Sequence, residues 1–382
     1  MKVTGTWLHN PATQAVCAAI MREGAQALFV GGCVRNALLQ EQVSDIDIAT
    51  DAPPDTVVAL ARSAGIKAVP TGIDHGTVTL VNDGIAHEVT TFRRDVETDG
   101  RRAVVAFSTR VEEDAARRDF TMNALYARPD GTLLDPIGGL PDLRARRVRF
   151  ISDATARIRE DYLRSLRFFR FHAWYGDAME GMDAEALAAI AGNLDGIGKV
   201  SRERIGAEML KLLAAPDPAP AVAGMRSTGL LAQILPGTDD RALGPLIATE
   251  EQVGFDPDAL RRLAALGGGD LSEALRLSRA QARQVQDLRA AASSGMGAAE
   301  LGYRRQDNAG DALLLRAALL EQPLSPDDLA VAEAAKQAKF PVAAADLQPE
   351  FSGPALGARL AELEARWIAS GFTLSREQLL LT

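Results

Sequence analysis

The sequence predicts an α+β head followed by an all-helical body. Before about residue 130, short runs of β-branched and apolar residues alternate with helical patterns, and Gly, Asp or Pro bounds most of them. From about residue 154, Ala- and Leu-rich segments with helical periodicity follow one another. The composition, 47% hydrophobic and 24% charged residues in a chain of 382, provides apolar material for two or more globular domains.

The head should contain a small mixed β-sheet together with helices. Five segments have the pattern of short strands: "ALFV", "DIDIA", "GTVTLV", "AHEVTTF" and "ALYA". Three segments have the pattern of helices: 11–23, 33–40 and 54–63. The third helix should begin at Pro53-Pro54, because a backbone N–H in the first helical turn has no partner within the helix and Pro lacks one.

Clusters of Gly, Pro and Asp interrupt the helical body. The segment "AAPDPAPAVAGM" predicts a joint between helical subdomains, and "LGGGD" is a second break. We therefore expect three domains: a head over 1–140, a helical neck over 141–215, and a helical body and tail over 216–382.

The chain is acidic overall but has one basic region. Its formal net charge is −9 and its pI is near 5.2, whereas a protein that coats nucleic acid is typically basic. Residues 141–170 nevertheless hold nine Arg against four acidic residues. Any contact with RNA is therefore expected to be local.

Three features bear on the cellular compartment. No apolar run approaches the roughly 18 to 20 residues that span a bilayer. The start "MKVTGTWLHNPATQ" lacks the basic and apolar regions of a secretory signal. Cys17 and Cys33 are the only cysteines, too few for a disulfide scaffold. We expect a cytoplasmic protein with no membrane contact and no obligate protein partner.

The segment "FVGGCVRNALLQEQVSDIDIAT" combines a glycine pair, an arginine and two aspartates. Asp45 and Asp47 should point to one face of a strand, about 7 Å apart, where two like charges are costly unless a cation lies between them. Hard divalent cations such as Mg²⁺ prefer carboxylate oxygens. Gly31 and Gly32 open a predicted helix, whose first N–H groups favour an anion, and Arg35 should reach a phosphate. The segment predicts a triphosphate site beside a Mg²⁺ site.

Each of these features has an ordinary alternative. An Asp-X-Asp is most often a solvated strand end, and a Gly-Gly pair is most often a plain turn. Glu88, in "HEVTTF", is either a third carboxylate near the metal or a solvated strand residue. In "EDYLRSLRFFRF", the helical spacing places Arg164 on one face with Asp161, but it also permits a surface ion pair with Glu160. The combination and order of the motifs favour the functional interpretation.

Six motifs resemble, in order and spacing, those of a known enzyme family. They are "GGCVRNALL…SDIDIAT", "HGTVTLV…HEVTTFRRD", "RRDFTMNALYA", "DPIGGLPDL", "REDYLRSLRFFRF" and "SRERIGAEMLKLL". The family is that of class II tRNA nucleotidyltransferases, which comprises CCA-adding enzymes and bacterial poly(A) polymerases. The resemblance covers about residues 28–211. The sequence departs from the family at Asn36, where Asp is usual, and Cys33 stands where Ser or Ala is also common.

The resemblance implies a polymerase-β-like nucleotidyltransferase head that uses Mg²⁺, with Asp45 and Asp47 as its catalytic and metal-binding residues. The implied nucleotide-binding residues are Gly31, Gly32, Arg35, Arg118, Asp161, Arg164, Arg167 and Arg170. Asp119 should either orient Arg118 or cap the helix that follows, and Asn123 should either contact the nucleotide or form a turn. In the neck, a carboxylate can accept from the amino group of cytosine or adenine while a guanidinium donates to the same base edge. One Asp and Arg pair should therefore accept CTP and ATP and reject UTP and GTP.

The implied activity is template-independent addition of CCA to the 3′ end of tRNA from CTP and ATP. "TGIDHGTVTLV" looks like the CCA-adding form, and the acidic chain lacks the basic tail that poly(A) polymerase relatives tend to carry. The alternatives are a poly(A) polymerase, an enzyme that adds only CC or only A, and a catalytically silent RNA-binding relative, against which the presence of both aspartates argues. The helical tail should bind tRNA. Residues 93–110 should form a mobile loop that rearranges as the RNA end grows.

Overall fold

A computed structural model of the chain describes residues 1–95 and 105–381. The middle of the predicted loop over 93–110, residues 96–104, lies outside the described residues. The expected rearrangement of this loop therefore stays a prediction.

A seven-stranded mixed sheet forms the centre of the head. The strands of the described chain are β1 (Leu28–Val30), β2 (Ile46–Thr50), β3 (Lys67–Gly72), β4 (Thr77–Asn82), β5 (Ile85–Thr91), β6 (Arg93–Asp95), β7 (Val105–Phe107), β8 (Tyr126–Ala127) and β9 (Leu133–Leu134). Their order in the sheet is β3-β4-β5-β2-β1-β8-β9, and β6 pairs with β7 separately. Strands β2 and β5 are parallel and the other neighbours antiparallel. All five predicted strands are confirmed.

The three helices predicted for the head are also confirmed. The described helices up to residue 160 are α1 (Pro11–Met21), α2 (Gly32–Leu39), α3 (Pro54–Ser63), α4 (Val111–Ala116), α5 (Leu140–Arg144) and α6 (Ala154–Glu160). Helix α1 begins after Asn10, whose side-chain oxygen accepts from the N–H of Ala12. Pro54 occupies the first turn of α3, as expected.

The chain after residue 160 is helical in all its described regular elements. These helices are α7 (Leu163–Tyr175), α8 (Ala184–Ala191), α9 (Arg202–Leu213), α10 (Ala219–Ser227), α11 (Leu230–Ile234), α12 (Leu243–Val253), α13 (Ala259–Ala265), α14 (Leu271–Leu275), α15 (Arg279–Ala292), α16 (Ala298–Arg305), α17 (Ala309–Leu319), α18 (Pro326–Ala335), α19 (Gly353–Ala369) and α20 (Arg376–Leu380). Within this described range, no helix is long and apolar enough to cross a membrane.

Two compact units make up the chain. The first contains Met1–Ser201 with Gly224–Gln233, and the second contains Arg202–Ala223 with Ile234–Thr382. The boundaries that we expect at residues 140 and 215 stay predictions.

Helix α7 is fixed to the head by a cluster of aromatic rings. Phe120, which directly follows Asp119, packs on Phe150 and on Phe171, with ring centroids 4.9 and 5.1 Å apart. Phe150 stacks on Phe168 of α7 at 5.8 Å. The rings are buried, so they hold the polar face of α7 in one position relative to the loop before Phe120.

The segment that contains Asp161 differs from its prediction. We expected one helix with Asp161 and Arg164 on a common face, but α6 ends at Glu160 and α7 begins at Leu163. Asp161 itself is extended, with φ −150° and ψ 104°. Its carboxylate accepts from the N–H of Leu163 at 3.1 Å and so helps to start α7. The expectation of a single helix is therefore wrong at this residue.

Candidate active site

The glycine pair forms a tight turn between β1 and α2. Gly31 has φ +68°, a conformation that side chains with a Cβ rarely adopt, and it directly precedes the helix. Gly31 at the N-cap has no side chain that could cap the first turn of α2, so the N–H groups of this turn can bind an anion. A Cβ added to Gly31 would lie 3.5 Å from Nη1 of Arg118, and one added to Gly32 would lie 3.8 Å from Nη2 of Arg35. Two guanidinium groups therefore face the turn.

Carboxylates converge next to this turn, on β2 and β5. Asp47 in β2 is the direct register partner of Glu88 in the parallel strand β5, which places both side chains on one face of the sheet. Asp45 is exposed and lies just before β2. The pKa of Asp47 is raised to about 6, first by burial and then by the charges of Glu88 and Asp45, although Arg118 and Arg35 oppose the shift.

This donor set fits a hard divalent cation. A half-buried carboxylate that is destabilised by two acidic neighbours is stabilised when a cation neutralises all three. Among the described residues, no three His, Cys, Asp or Glu side chains already stand close enough to hold a metal ion. Asp47 and Asp45 are thus the residues suited to the ion, with Glu88 available beside Asp47.

Arg35 is not free to extend toward a ligand as the sequence suggests. Its guanidinium donates to the side-chain oxygen of Asn123 at 2.5 Å, to that of Asn36 at 2.9 and 3.1 Å, and to the hydroxyl of Tyr175 at 2.8 Å. It also lies 4.0 Å from the centroid of the Tyr175 ring. Burial lowers the pKa of Arg35, but a guanidinium keeps its charge. Arg35 therefore contributes a fixed positive charge beside the turn.

Asn36 supplies an acceptor to Arg35 without supplying a negative charge. Its side-chain oxygen accepts from Arg35, and its amide donates to the carbonyl of Gln42 at 2.8 Å. Among the described residues, Arg35 forms no ion pair with a carboxylate. The departure from the family's usual Asp thus leaves more positive charge at this position.

Arg118 is held by a buried carboxylate on α4. Its Nε and Nη2 donate to Asp114 at 3.2 and 2.9 Å, and its Nε also donates to the hydroxyl of Tyr126 at 3.0 Å. Burial alone would raise the pKa of Asp114, but Arg118 and the Tyr126 hydroxyl lower it. The predicted nucleotide contact is therefore fixed from behind, with Nη1 toward the glycine turn.

Asp119 has neither of the two roles expected of it. One carboxylate oxygen accepts from Arg167 at 2.8 Å, and the other accepts from the amide of Asn123 at 2.9 Å and from the N–H of Phe120. Arg167 and Asn123 thereby lower the pKa of Asp119 against the effect of burial. Asp119 orients Arg167 of α7, and Asn123 links it to Arg35.

The arginines of α7 lie near one another around a single ring. The guanidinium carbons of Arg35, Arg167 and Arg170 are 5.1, 5.4 and 4.4 Å from the centroid of Phe171. Cations over an aromatic face are stabilised by its quadrupole. Asp119 offsets part of this positive charge through its pair with Arg167.

Arg164 forms the ion pair that the sequence offered as an alternative. Its Nη1 lies 2.5 Å from a carboxylate oxygen of Glu160, and the guanidinium also donates to the carbonyls of Arg157 and Arg117 at 3.0 and 3.1 Å. The side chain is only 15% exposed. The contact with the carbonyl of Arg117 places Arg164 next to the Arg118 segment, so the ion pair does not exclude a role in the site.

Sequence reasoning missed several residues that position this site. Tyr175 fixes Arg35, and Asp114 and Tyr126 fix Arg118. The four-residue spacing of Asp114 and Arg118 is a signal that the sequence does contain. The contact of Arg35 with Tyr175 joins residues 140 positions apart and leaves no local signal.

Two family descriptions match the chain. Residues 27–149 match the "Poly A polymerase head domain", and residues 181–241 match the "Probable RNA and SrmB- binding site of polymerase A". The first match contains the glycine turn, the carboxylates and Arg118.

Curated relatives match more than half of the chain. The chain is 41% identical over 222 residues to a CCA-adding enzyme of Geobacillus thermodenitrificans, covering 58% of the chain and 53% of the relative. It is 41% identical over 207 residues to the mitochondrial CCA tRNA nucleotidyltransferase 1 of Homo sapiens, covering 54% of the chain and 48% of the relative. The match thus spans about half the length of these curated relatives.

Solved structures are similar over nearly the whole chain. The crystal structure of Bacillus stearothermophilus CCA-adding enzyme in complex with CTP has a TM-score of 0.75 and 27% identity, and the similarity covers 96% of this chain and 94% of that one. Thermotoga maritima CCA-adding enzyme, solved in complex with tRNA, has a TM-score of 0.71 and 18% identity. This similarity covers 99% of this chain and 95% of that one and shows a shared fold. The predicted fold class, a nucleotidyltransferase head followed by helices, is confirmed.

Proposed function

We propose that the chain is a tRNA nucleotidyltransferase that adds CCA to the 3′ end of tRNA from CTP and ATP, because its head matches the Poly A polymerase head domain and the curated relatives that it matches at 41% identity are CCA-adding enzymes. The observation that carries the proposal is the pair Asp47 and Glu88 on neighbouring strands, directly beside a glycine turn that faces two guanidinium groups. Two neighbouring carboxylates beside a turn that can bind an anion support the proposal, because nucleotidyl transfer requires a metal ion next to a triphosphate. The names of the curated relatives favour CCA addition over poly(A) synthesis.

Each part of the site has a role in this reaction. The N–H groups of the first turn of α2, from Gly32, bind the triphosphate, and Nη1 of Arg118, which faces Gly31, donates to it. Arg35, held by Tyr175 and Asn123, adds a fixed positive charge. Asp161, Arg164, Arg167 and Arg170 are the proposed base and phosphate contacts of the neck. Asp161 lies just before α7, and the three arginines lie along that helix.

Mg²⁺ is the proposed metal ion, held by Asp45 and Asp47 with Glu88 as a further carboxylate. When bound, it supplies positive charge that acidifies the 3′-hydroxyl of the RNA and neutralises the pyrophosphate that leaves. Asp47 must be deprotonated to bind the ion, and the nearby Arg118 and Arg35 favour that state.

A cytoplasmic location belongs to the same proposal. Cys17 and Cys33 are free, buried thiols, as is usual in a reducing compartment. We propose tRNA, CTP and ATP as the ligands, with no obligate protein partner.

The test is nucleotide addition to a tRNA that ends before CCA, with each triphosphate supplied alone and in combination. We expect two additions with CTP, none with ATP alone, and completion to CCA when both are present. Long extension with ATP on an RNA of any 3′ sequence would instead identify a poly(A) polymerase. Addition that stops after CC, or that occurs only on tRNA ending in CC, would identify a partial enzyme.

A further inference from the structure

Asp114 is a buried carboxylate to which the proposed reaction assigns no role. It lies in α4 and is only 2% exposed. One of its oxygens accepts from the hydroxyl of Tyr126 at 2.7 Å and from Arg118 at 2.9 and 3.2 Å. The other accepts from the backbone N–H of Arg93, the first residue of β6, at 3.2 Å. A carboxylate is costly to bury, and here several donors compensate that cost.

These contacts determine which part of Arg118 remains available. Nε and Nη2 are both occupied by Asp114, and Nε also by Tyr126, whereas Nη1 has no hydrogen-bond partner among the described residues. Nη1 is the atom nearest to an added Cβ on Gly31. A guanidinium that is bound along one edge presents its other edge in a fixed direction, since the group is planar.

We propose that Asp114, supported by the Tyr126 hydroxyl, is a positioning residue that directs Nη1 of Arg118 at a triphosphate bound on the glycine turn. This inference rests on the proposed function, because it takes the ligand of the turn to be a nucleoside triphosphate. Asp114 itself lies behind Arg118 and contacts no nucleotide. Its contribution is to hold Arg118 in the binding orientation before the nucleotide arrives, which lowers the entropic cost of binding.

The experiment compares Asp114→Asn with Asp142→Asn. Asp142 is a suitable control because it is also a buried carboxylate of the first compact unit, 4% exposed, and it accepts from Thr121 at 2.8 Å and pairs with Arg149. For each full-length variant, the affinity for CTP and for ATP with Mg²⁺ is measured by calorimetry, KM and kcat are measured on tRNA lacking CCA, and the melting temperature is recorded.

We expect Asp114→Asn to raise Kd and KM for both triphosphates about tenfold to a hundredfold, the range for loss of a hydrogen bond to a charged group, with a smaller change in kcat. Asp142→Asn should lower the melting temperature to a similar extent and leave Kd and KM unchanged. Tyr126→Phe keeps the Asp114 carboxylate and removes one of its donors, so it should raise KM by a smaller factor. If Asp114→Asn does not fold, the KM of Tyr126→Phe tests whether the Asp114 pair positions Arg118.

Unchanged Kd and KM in Asp114→Asn and Tyr126→Phe would overturn the inference, as would equal effects of Asp114→Asn and Asp142→Asn on Kd. The binding measurement separates this inference from the proposed function. If the wild type adds nothing to tRNA but Asp114→Asn weakens triphosphate binding, CCA addition is wrong and the role of Asp114 stands. If the wild type completes CCA and Asp114→Asn binds as the wild type does, only the role of Asp114 is wrong.

Discussion

The carboxylate of Asp47 combines partial burial with two acidic neighbours, and its pKa is raised from 3.8 to about 6. In the metal-free protein, the folded state therefore keeps a proton at a pH where the unfolded chain has lost it. The stability of the metal-free protein should consequently fall as the pH rises from about 4 to about 6. Above about pH 6 the ionised carboxylate lowers the stability of the folded state by a constant amount, and a bound cation removes this loss.

The first prediction follows from this fall in stability with rising pH. Asp47→Asn should raise the melting temperature of the metal-free protein at pH 7, leave it unchanged near pH 4, and abolish nucleotide addition while tRNA binding persists. Mg²⁺ should stabilise the wild type against thermal unfolding but not this variant. Asp45→Asn should raise the melting temperature of the metal-free protein by less, because Asp45 is exposed and its charge is a smaller cause of the Asp47 shift than burial and Glu88. Turnover by the wild type in excess chelator would contradict the metal site.

The second prediction concerns base selection by Arg164. If the guanidinium reads the base, Arg164→Ala should admit UTP or GTP about tenfold to a hundredfold more readily, because it removes a hydrogen bond from a charged donor. Asp161→Ala should weaken CTP and ATP together, since one carboxylate serves both amino groups. If the contact with Glu160 is only an ion pair, Arg164→Ala should leave selection intact and lower only the stability, because it also removes the donors to the carbonyls of Arg157 and Arg117.

Misincorporation kinetics with all four triphosphates distinguish these results. Arg159→Ala is the matched control, because Arg159 lies on α6, is exposed, and bonds to Asn193 rather than to the site. If both Arg164→Ala and Asp161→Ala keep the selectivity of the wild type, the residues at the start of α7 do not recognise the base.

Secondary-structure elements were predictable where the local sequence pattern is strong, and less so where tertiary contacts determine the backbone conformation. The predicted strands and helices of the head all form, but β3 was missed because Pro70 argues against a strand. It is tolerated there because β3 lies at the edge of the sheet, where one side needs no hydrogen-bond partner. The end of α6 at Glu160 was missed because the apolar spacing continues across Asp161.

The third prediction concerns the turn that starts α2. A Cβ at Gly32 meets no atom closer than 3.8 Å, whereas Gly31 has a positive φ that a side chain would strain. Gly32→Ala should therefore leave the melting temperature nearly unchanged and raise KM for both CTP and ATP, because the methyl group occupies the proposed path of the triphosphate. Gly31→Ala should instead cost about 1 to 3 kcal/mol of stability. Normal KM values in Gly32→Ala would place the triphosphate elsewhere.

The arrangement of the site across the whole head depends on contacts that sequence alone does not reveal. The resemblance located the individual motifs, and the composition located the basic region. The pairing of Asp119 with Arg167 spans 48 residues, and that of Arg35 with Asn123 spans 88. The first pairing depends on the aromatic rings that pack α7 on the head, so the partner of Arg167 is set by the fold and not by its neighbours in sequence.

The second compact unit contains a buried charge network that stabilises it. Arg262 is 1% exposed, and its guanidinium donates to Glu250 at 2.9 Å and to the carbonyls of Leu213, Ala215 and Pro216. Leu213 is the last residue of α9, and Ala215 and Pro216 belong to the break that the sequence predicts as a joint. Glu250 also pairs with Arg261, which in turn pairs with Asp311. The joint is thus held by an interior arginine.

The last prediction tests this network. Arg262→Ala should destabilise the protein by about 3 to 5 kcal/mol, because it leaves Glu250 with one buried cation fewer and three carbonyls without their donor. Arg241→Ala is the control: Arg241 is 83% exposed in its pair with Asp239, so the change should cost under about 1 kcal/mol. Since the proposed nucleotide contacts lie in the first unit, calorimetric affinity for CTP at a temperature below unfolding should equal that of the wild type. A wild-type denaturation midpoint in Arg262→Ala would show that the carbonyls are satisfied without the guanidinium, and the joint would then depend on the packing of its apolar residues alone.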